Sequence, residues 1–135
     1  MSADKRLYIF DLDNTLYLGR AERHRRLQYE RRLLPFLNNL AAHGHLLAVA
    51  TFNTDAEVLL LNMGIRSLFD SVVQTARATK SEMVSSICSK YPYIPTHNVH
   101  YYDDDYDSVM DVRALGIRAT NVAPLTGVPI PTELS

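Results

Sequence analysis

A single cysteine, Cys88, in a chain of 135 residues excludes an internal disulfide and any zinc site built from several cysteines. By itself it reads as a small core residue. No apolar run approaches the ~20 residues that span a bilayer, and the short N-terminal apolar stretch is interrupted at Asp11, unlike a signal peptide. The expectation is a soluble, intracellular, cytoplasmic protein with no membrane partner. Charge of one sign is also lacking. Fourteen basic residues stand against 15 acidic ones for a net charge of −1, so the molecule as a whole is no electrostatic glove for nucleic acid, and anion binding must be local. No internal repeat or low-complexity tract is visible, and the length leaves no room for a second domain, so 1–135 reads as one domain. With 47% hydrophobic and 21% charged residues, the chain has enough apolar surface to fold.

Five short apolar or β-branched runs, over 7–10, 46–50, 71–74, 99–102 and 119–122, read as strands. Helical signals lie between them. Leu33, Leu34, Leu37, Leu40 and Ala41 follow a spacing of three and four, with Pro35 in a first turn and Gly44 as a stop, which predicts a helix beginning near Leu33. Thr54 and Glu57 form a capping-box pattern before a helix closed by Gly64; Thr79 and Glu82 repeat it before Met83, Val84, Ile87 and Cys88. Val109, Val112 and Leu115 make a last apolar stripe, closed by Gly116. Strands alternating with helices require right-handed crossovers between parallel neighbours. The fold class is therefore α/β, a Rossmann-like doubly wound parallel sheet of about five strands. The proline-containing stretch 123–135 reads as a surface loop running into a loose tail.

In such sheets ligands bind where the carboxyl ends of the strands meet helix N-termini, so the polar residues directly after each strand carry the information. After the first strand come Asp11, Asp13 and Thr15. Two carboxylates two residues apart at a strand end cannot both stay ionised cheaply without a cation or a shared proton. A D-x-D-x-T match arises by composition in roughly one chain in a hundred of this length; its bland alternative is a solvated turn. After the second strand, Thr51 and Asn53 precede helical amides that favour an anion, although Thr and Asn there are often only caps. After the third, Lys80 opens a helix, where a cation is locally unfavourable. Either a bound phosphate offsets that cost or the lysine head lies in water. After the fourth come Asp103, Asp104, Asp105 and Asp107, with Asp111 further on. Some could cap a helix, but Asp103 points into the same crevice as Asp11. A hard cation with oxygen ligands would neutralise them, and magnesium suits a site with one or two carboxylates, water and substrate phosphate.

These four elements, in this order and at these strand ends, resemble the haloacid dehalogenase superfamily over nearly the whole chain. Asp11, Asp13 and Thr15 look like its first motif, Thr51 its second, Lys80 its third, and Asp103 with Asp104 or Asp107 its acidic fourth. The stretch from Tyr101 to Asp104, with Val112 to Gly116, is particularly similar to its small magnesium-dependent phosphatases. The resemblance implies that Asp11 attacks phosphorus to form an aspartyl phosphate and that Asp13 protonates the leaving oxygen and then activates water. It implies that Thr51, with Asn53, and Lys80 bind the phosphoryl group, and that Asp11, the Asp13 carbonyl and Asp103 hold Mg²⁺. Thr15, Asp104 and Asp107 are secondary candidates. Asp13 also favours a phosphatase over a dehalogenase, since a halide needs no general acid. Only short segments stand where the superfamily inserts caps, so the chain resembles its capless subclass.

The segment from Arg20 to Arg32 holds six arginines against two glutamates. Over 17–32 it is expected to form a short basic flap beside the site, able to bind a polyanionic substrate, or else a solvated helical face. The expected activity is hydrolysis of phosphate monoesters, with a phosphoprotein, a sugar phosphate or a nucleic-acid 3′-phosphate as substrate classes. Aromatic interleaving is too thin to establish a nucleic-acid platform, and an oligomer is compatible with an open site. The alternative is a catalytically weak phosphate-binding or regulatory module that uses the flap to bind a partner.

Overall fold

The computed structural model describes residues 4–131. Five strands, β1 (Leu7–Phe10), β2 (Leu46–Thr51), β3 (Ser71–Gln74), β4 (Val99–Asp103) and β5 (Arg118–Asn121), pair in parallel in the order β3-β2-β1-β4-β5. Leu7 is in register with Leu46 on one side and Val99 on the other, which makes β1 the central strand. The chain winds outward from β1 through β2 to β3, then crosses back to β4 on the opposite side of β1. That reversal opens a crevice beyond the ends of β1 and β4.

Alternation along β1 sorts the core into two layers. Tyr8 and Phe10 pack with Leu33, Leu37 and Leu40 of α1 (Arg23–Ala42) and Leu60 of α2 (Ala56–Asn62). Leu7 and Ile9 pack on the other face with Met83, Val84 and Ile87 of α3 (Lys80–Ser89) and Val109 and Val112 of α4 (Tyr106–Arg113). Gly44, Gly64 and Gly116 all have positive φ where helices end, as the stop signals predict. Cys88 is half-buried against the second layer.

Four local expectations fail. The first helix begins at Arg23, ten residues before Leu33, and Pro35 stands in its interior. Buried Tyr29 extends the stripe through Leu33, Phe36, Leu37 and Leu40, and Pro35 faces solvent, where the carbonyl four residues back can be hydrated instead of bonded. The basic segment from Arg23 onward is thus the first half of α1 and not a separate flap. The capping box at Thr54 does not form: Asp55 is the N-cap and makes no side-chain cap bond, while the Glu57 carboxylate pairs with Arg66. The box at Thr79 and Glu82 forms in full. Leu115 lies beyond α4 and is exposed; Ile117 is buried instead.

The fourth difference concerns the chain after β5. Val128 is buried, its amide donates to the Tyr29 hydroxyl at 2.9 Å, and the Ile130 carbonyl accepts from Arg32 at 3.1 Å. Residues 123–131 are therefore docked on α1, where a loose tail was expected; 132–135 lie outside the described residues. The β1–α1 and β3–α3 connections, 11–22 and 75–79, are short loops without an inserted domain. No helix among the described residues is long and apolar enough to cross a membrane.

Candidate active site

The crevice holds most of the polar groups that the fold buries. Asp11, Thr51, Lys80 and Asp103 are all buried, and with Asp13, Asn53 and Asp104 they line a cavity of about 200 Å³. Strand and helix ends place them there. Asp11 follows β1, its amide donating to the Tyr102 carbonyl at 2.8 Å as though the ladder continued. Thr51 and Asp103 are the last residues of β2 and β4, and Lys80 is the first of α3.

The Lys80 ammonium is the hub. Its Nζ donates to Asp11 Oδ1 at 3.0 Å, to Asp103 Oδ2 at 2.7 Å and to the Tyr101 hydroxyl at 3.3 Å, using all three of its protons. The Tyr101 hydroxyl in turn donates to Asp103. Below the ammonium lies the ring of Phe52, 4.9 Å from Nζ to the centroid, a cation–π contact. Here the two carboxylates offset the cost of a cation at a helix N-terminus. Burial works against the charge on Lys80, but Asp11 and Asp103 outweigh it and hold the ammonium above its ordinary range.

Asp11 shows the opposite balance. Burial, reinforced by Asp103 and only partly opposed by Lys80, pushes its carboxyl up to about 8. Burial likewise raises Asp104. Asp11, Asp103 and Asp104 bring carboxylate oxygens within 4.8 Å of one another, and three carboxylates against one ammonium leave a formal charge of −2 when all are ionised. A divalent cation with a preference for oxygen fits that donor set and that charge. Of the two secondary acids, the structure brings Asp104 to Asp11. Asp107 sits exposed in the first turn of α4.

Asp13 stands apart from this cluster. Its carboxylate is exposed at the rim and accepts from the Asn53 side-chain amide at 3.1 Å, while Asn53 Oδ1 accepts from the Asp55 amide at 2.8 Å. Asn53 thus aims Asp13, a placement the sequence expectation of phosphate binding did not contain. Asn14, between the acids and their turn, has φ of 63°, a conformation that Asn tolerates. Thr51 Oγ1 accepts from the Asn53 amide at 3.0 Å, which leaves its own proton free to donate. Buried Thr15 reaches Asp11 Oδ2 at 3.4 Å.

Tyr101 and Phe52 were missed at the level of sequence as partners of Lys80, whereas Asp105 was among the acids expected to supply a cap. Asp105 caps α4, accepting from Ser108, and its amide donates to Asp103 Oδ1 at 2.9 Å. Asp111 accepts from the Ser81 amide at 3.2 Å and so caps the neighbouring α3.

Comparison of the whole fold with solved structures gives a consistent answer. A haloacid dehalogenase-like hydrolase from Streptococcus pneumoniae superposes with a TM-score of 0.66 at 10% identity, over 93% of this chain and 88% of that one. The chain has the haloacid dehalogenase-like fold. The core domain of a protein provisionally named a phosphoglycolate phosphatase, from S. pneumoniae TIGR4, matches at 0.64 and 18% identity over 96% and 92% of the two chains. A haloacid dehalogenase superfamily hydrolase of subfamily IA from Geobacter sulfurreducens matches at 0.61 and 15% identity over 85% and 88%. No protein-family model and no curated protein matches the sequence. Within this haloacid dehalogenase-like fold, the crevice at the ends of β1 and β4 is the switch point of the sheet, where Asp11 and Asp103 face each other.

Proposed function

We propose that the protein is a magnesium-dependent phosphomonoesterase of the capless haloacid dehalogenase type, working through an aspartyl phosphate. The observation that carries this reading is the buried Lys80, bonded at once to Asp11 and Asp103 beside Asp104, at the switch point of this fold. The folds it matches include proteins named as hydrolases and a phosphatase.

An Asp11 carboxylate oxygen attacks phosphorus, forming the O–P bond as the bond to the ester oxygen breaks. Asp13, positioned by Asn53 at the solvent side, gives its proton to the departing oxygen. Water entering the open crevice then attacks phosphorus, Asp13 takes its proton, and the Asp11–phosphorus bond breaks to release phosphate. Thr51 donates its free hydroxyl proton to a phosphoryl oxygen, and Lys80 supplies positive charge next to the reacting group. Asp11, Asp103 and Asp104, with the Asp13 carbonyl, would hold Mg²⁺. Bound there, the ion would offset the charge between carboxylate nucleophile and phosphate dianion.

An aryl phosphate assayed with Mg²⁺ and then with EDTA tests the reading. Turnover should need the metal and fall by at least a thousandfold in Asp11→Asn, whose circular dichroism should match the parent. Phosphate binding without turnover in the parent protein would instead support the regulatory module.

A further inference from the structure

The arginine-rich half of α1 is the one sequence feature the crevice does not absorb. No arginine lines the crevice. Arg25, Arg31 and Arg32, all exposed, instead rim a second cavity, open to solvent and of about 610 Å³, beside half-exposed Leu125 and above the buried Leu18 and Tyr29, a volume within the range of organic-ligand sites.

One wall is helical. Arg25, Tyr29 and Arg32 follow a spacing of four and three and share a face, with the two guanidinium stems about 10 Å apart along the axis. The facing wall is the segment after β5, and three contacts fix it. Tyr29 and Arg32 bind the Val128 amide and the Ile130 carbonyl. Gly127, at φ of 76°, lies so close to the Tyr29 ring that a Cβ would come within 2.4 Å of it. The cavity is therefore built by packing and not by the accident of a loose end.

Its charge is unbalanced. Among the described residues no acidic side chain lines it, and the guanidiniums of Arg25 and Arg31 have no hydrogen-bond or ion-pair partner among them. Arg32 has one, the Ile130 carbonyl, which is uncharged. Three exposed guanidiniums on one side of the molecule offer an anion several partners at once. Half-exposed Leu125 and the arginine stems give apolar surface that an inorganic ion would leave unused.

We infer that this cavity binds an elongated organic polyanion of about nucleotide size. Its negative groups pair with Arg25, Arg31 and Arg32, and its apolar or aromatic body rests on Leu125 and the aliphatic stems of the arginines. The inference rests on this cavity alone and stands independently of the reaction assigned to the crevice.

Calorimetric titration with ATP, in EDTA at low salt, tests it on the full chain. Arg25→Gln with Arg31→Gln removes two guanidiniums that hold nothing in the fold, and Gln keeps helix propensity. ATP should bind the parent and Asp11→Asn equally. It should bind the arginine double variant at least tenfold more weakly, and with a shallower dependence on salt. Leu125→Glu, which puts a carboxylate into the cavity from the other wall, should weaken ATP at least as much. Inorganic tripolyphosphate, lacking the body, should bind the parent more weakly than ATP. Aryl phosphate turnover by the double variant should equal that of the parent. The inference is overturned if the parent fails to bind ATP at millimolar concentration, if the double variant binds it unchanged, or if Asp11→Asn abolishes binding and so places ATP in the crevice. Equal affinity for tripolyphosphate and ATP would refute the apolar body.

Discussion

Replacing Lys80 with Met keeps the length of the side chain and removes its charge, leaving the carboxylates of Asp11 and Asp103 facing each other. Lys80 is 3% exposed and Asp103 1%, and the Met methyl fills the place of the ammonium, 3.0 and 2.7 Å from the oxygens of Asp11 and Asp103, without donating a proton to either. Breaking a buried ion pair from one side costs about 3–5 kcal/mol, or about 10–15 °C in Tm for a domain of this size. The cost should depend on pH, with a definite sign. Lys80 holds the Asp11 carboxyl down against burial, so its loss raises a group that already titrates well above its unfolded value. A carboxyl raised in the folded state contributes stability fully below its unfolded pKa, near 4, and that contribution is lost as pH rises through the folded pKa. At pH 5 parent and variant both hold Asp11 protonated, and they diverge only as the parent ionises above about 8, so the penalty should grow by about 2 kcal/mol between pH 5 and about pH 9.5. Urea unfolding followed by circular dichroism, in EDTA at pH 5 and about pH 9.5, measures both values. A penalty below about 1 kcal/mol, or one equal at the two pH values, would refute the claim that the ammonium neutralises a dry carboxylate pair.

Asp13→Asn should slow formation and hydrolysis of the phosphoenzyme, with a smaller loss for substrates whose leaving group needs no proton; a uniform loss along a leaving-group series would count against the acid role. Tyr29→Phe strands the Thr15 carbonyl and the Val128 amide, both bonded to its hydroxyl, and should cost about 2–3 kcal/mol in urea unfolding. Gly127→Ala meets both the positive φ and the Tyr29 ring, and should cost about 2–5 kcal/mol. A change of Tm under 1 °C in either variant would show that the segment after β5 is not anchored there.

Strand positions were legible because central parallel strands are buried on both faces and appear as short apolar runs. Their polar successors were legible for the same reason: Asp11, Thr51, Lys80 and Asp103 each stand where an apolar run or its loop gives way to a helix. The start of α1 was hidden because its first half spends its periodic positions on arginines, and only Tyr29 marks the buried face. The choice between Asp104 and Asp107 depends on a turn. Once Asp105 caps α4, the residue before it faces Asp11 and the residue two beyond it goes to solvent. Tyr101 and Phe52 gave no signal, since nothing local distinguishes an aromatic that packs on a neighbour from one that meets an ammonium brought in by α3.

The position of β1 in the middle of the sheet has a consequence for the order of events during synthesis. Leu7 pairs with Leu46 on one edge and Val99 on the other, so the second edge of the strand that leads to Asp11 stays unpaired until synthesis has passed Val99. Only then can β4 insert, bringing Asp103 to Lys80 and closing the last bonds of the hub. Until that moment a central apolar strand offers free amides and carbonyls to any passing chain. The nascent protein is most exposed to aggregation just before its crevice exists.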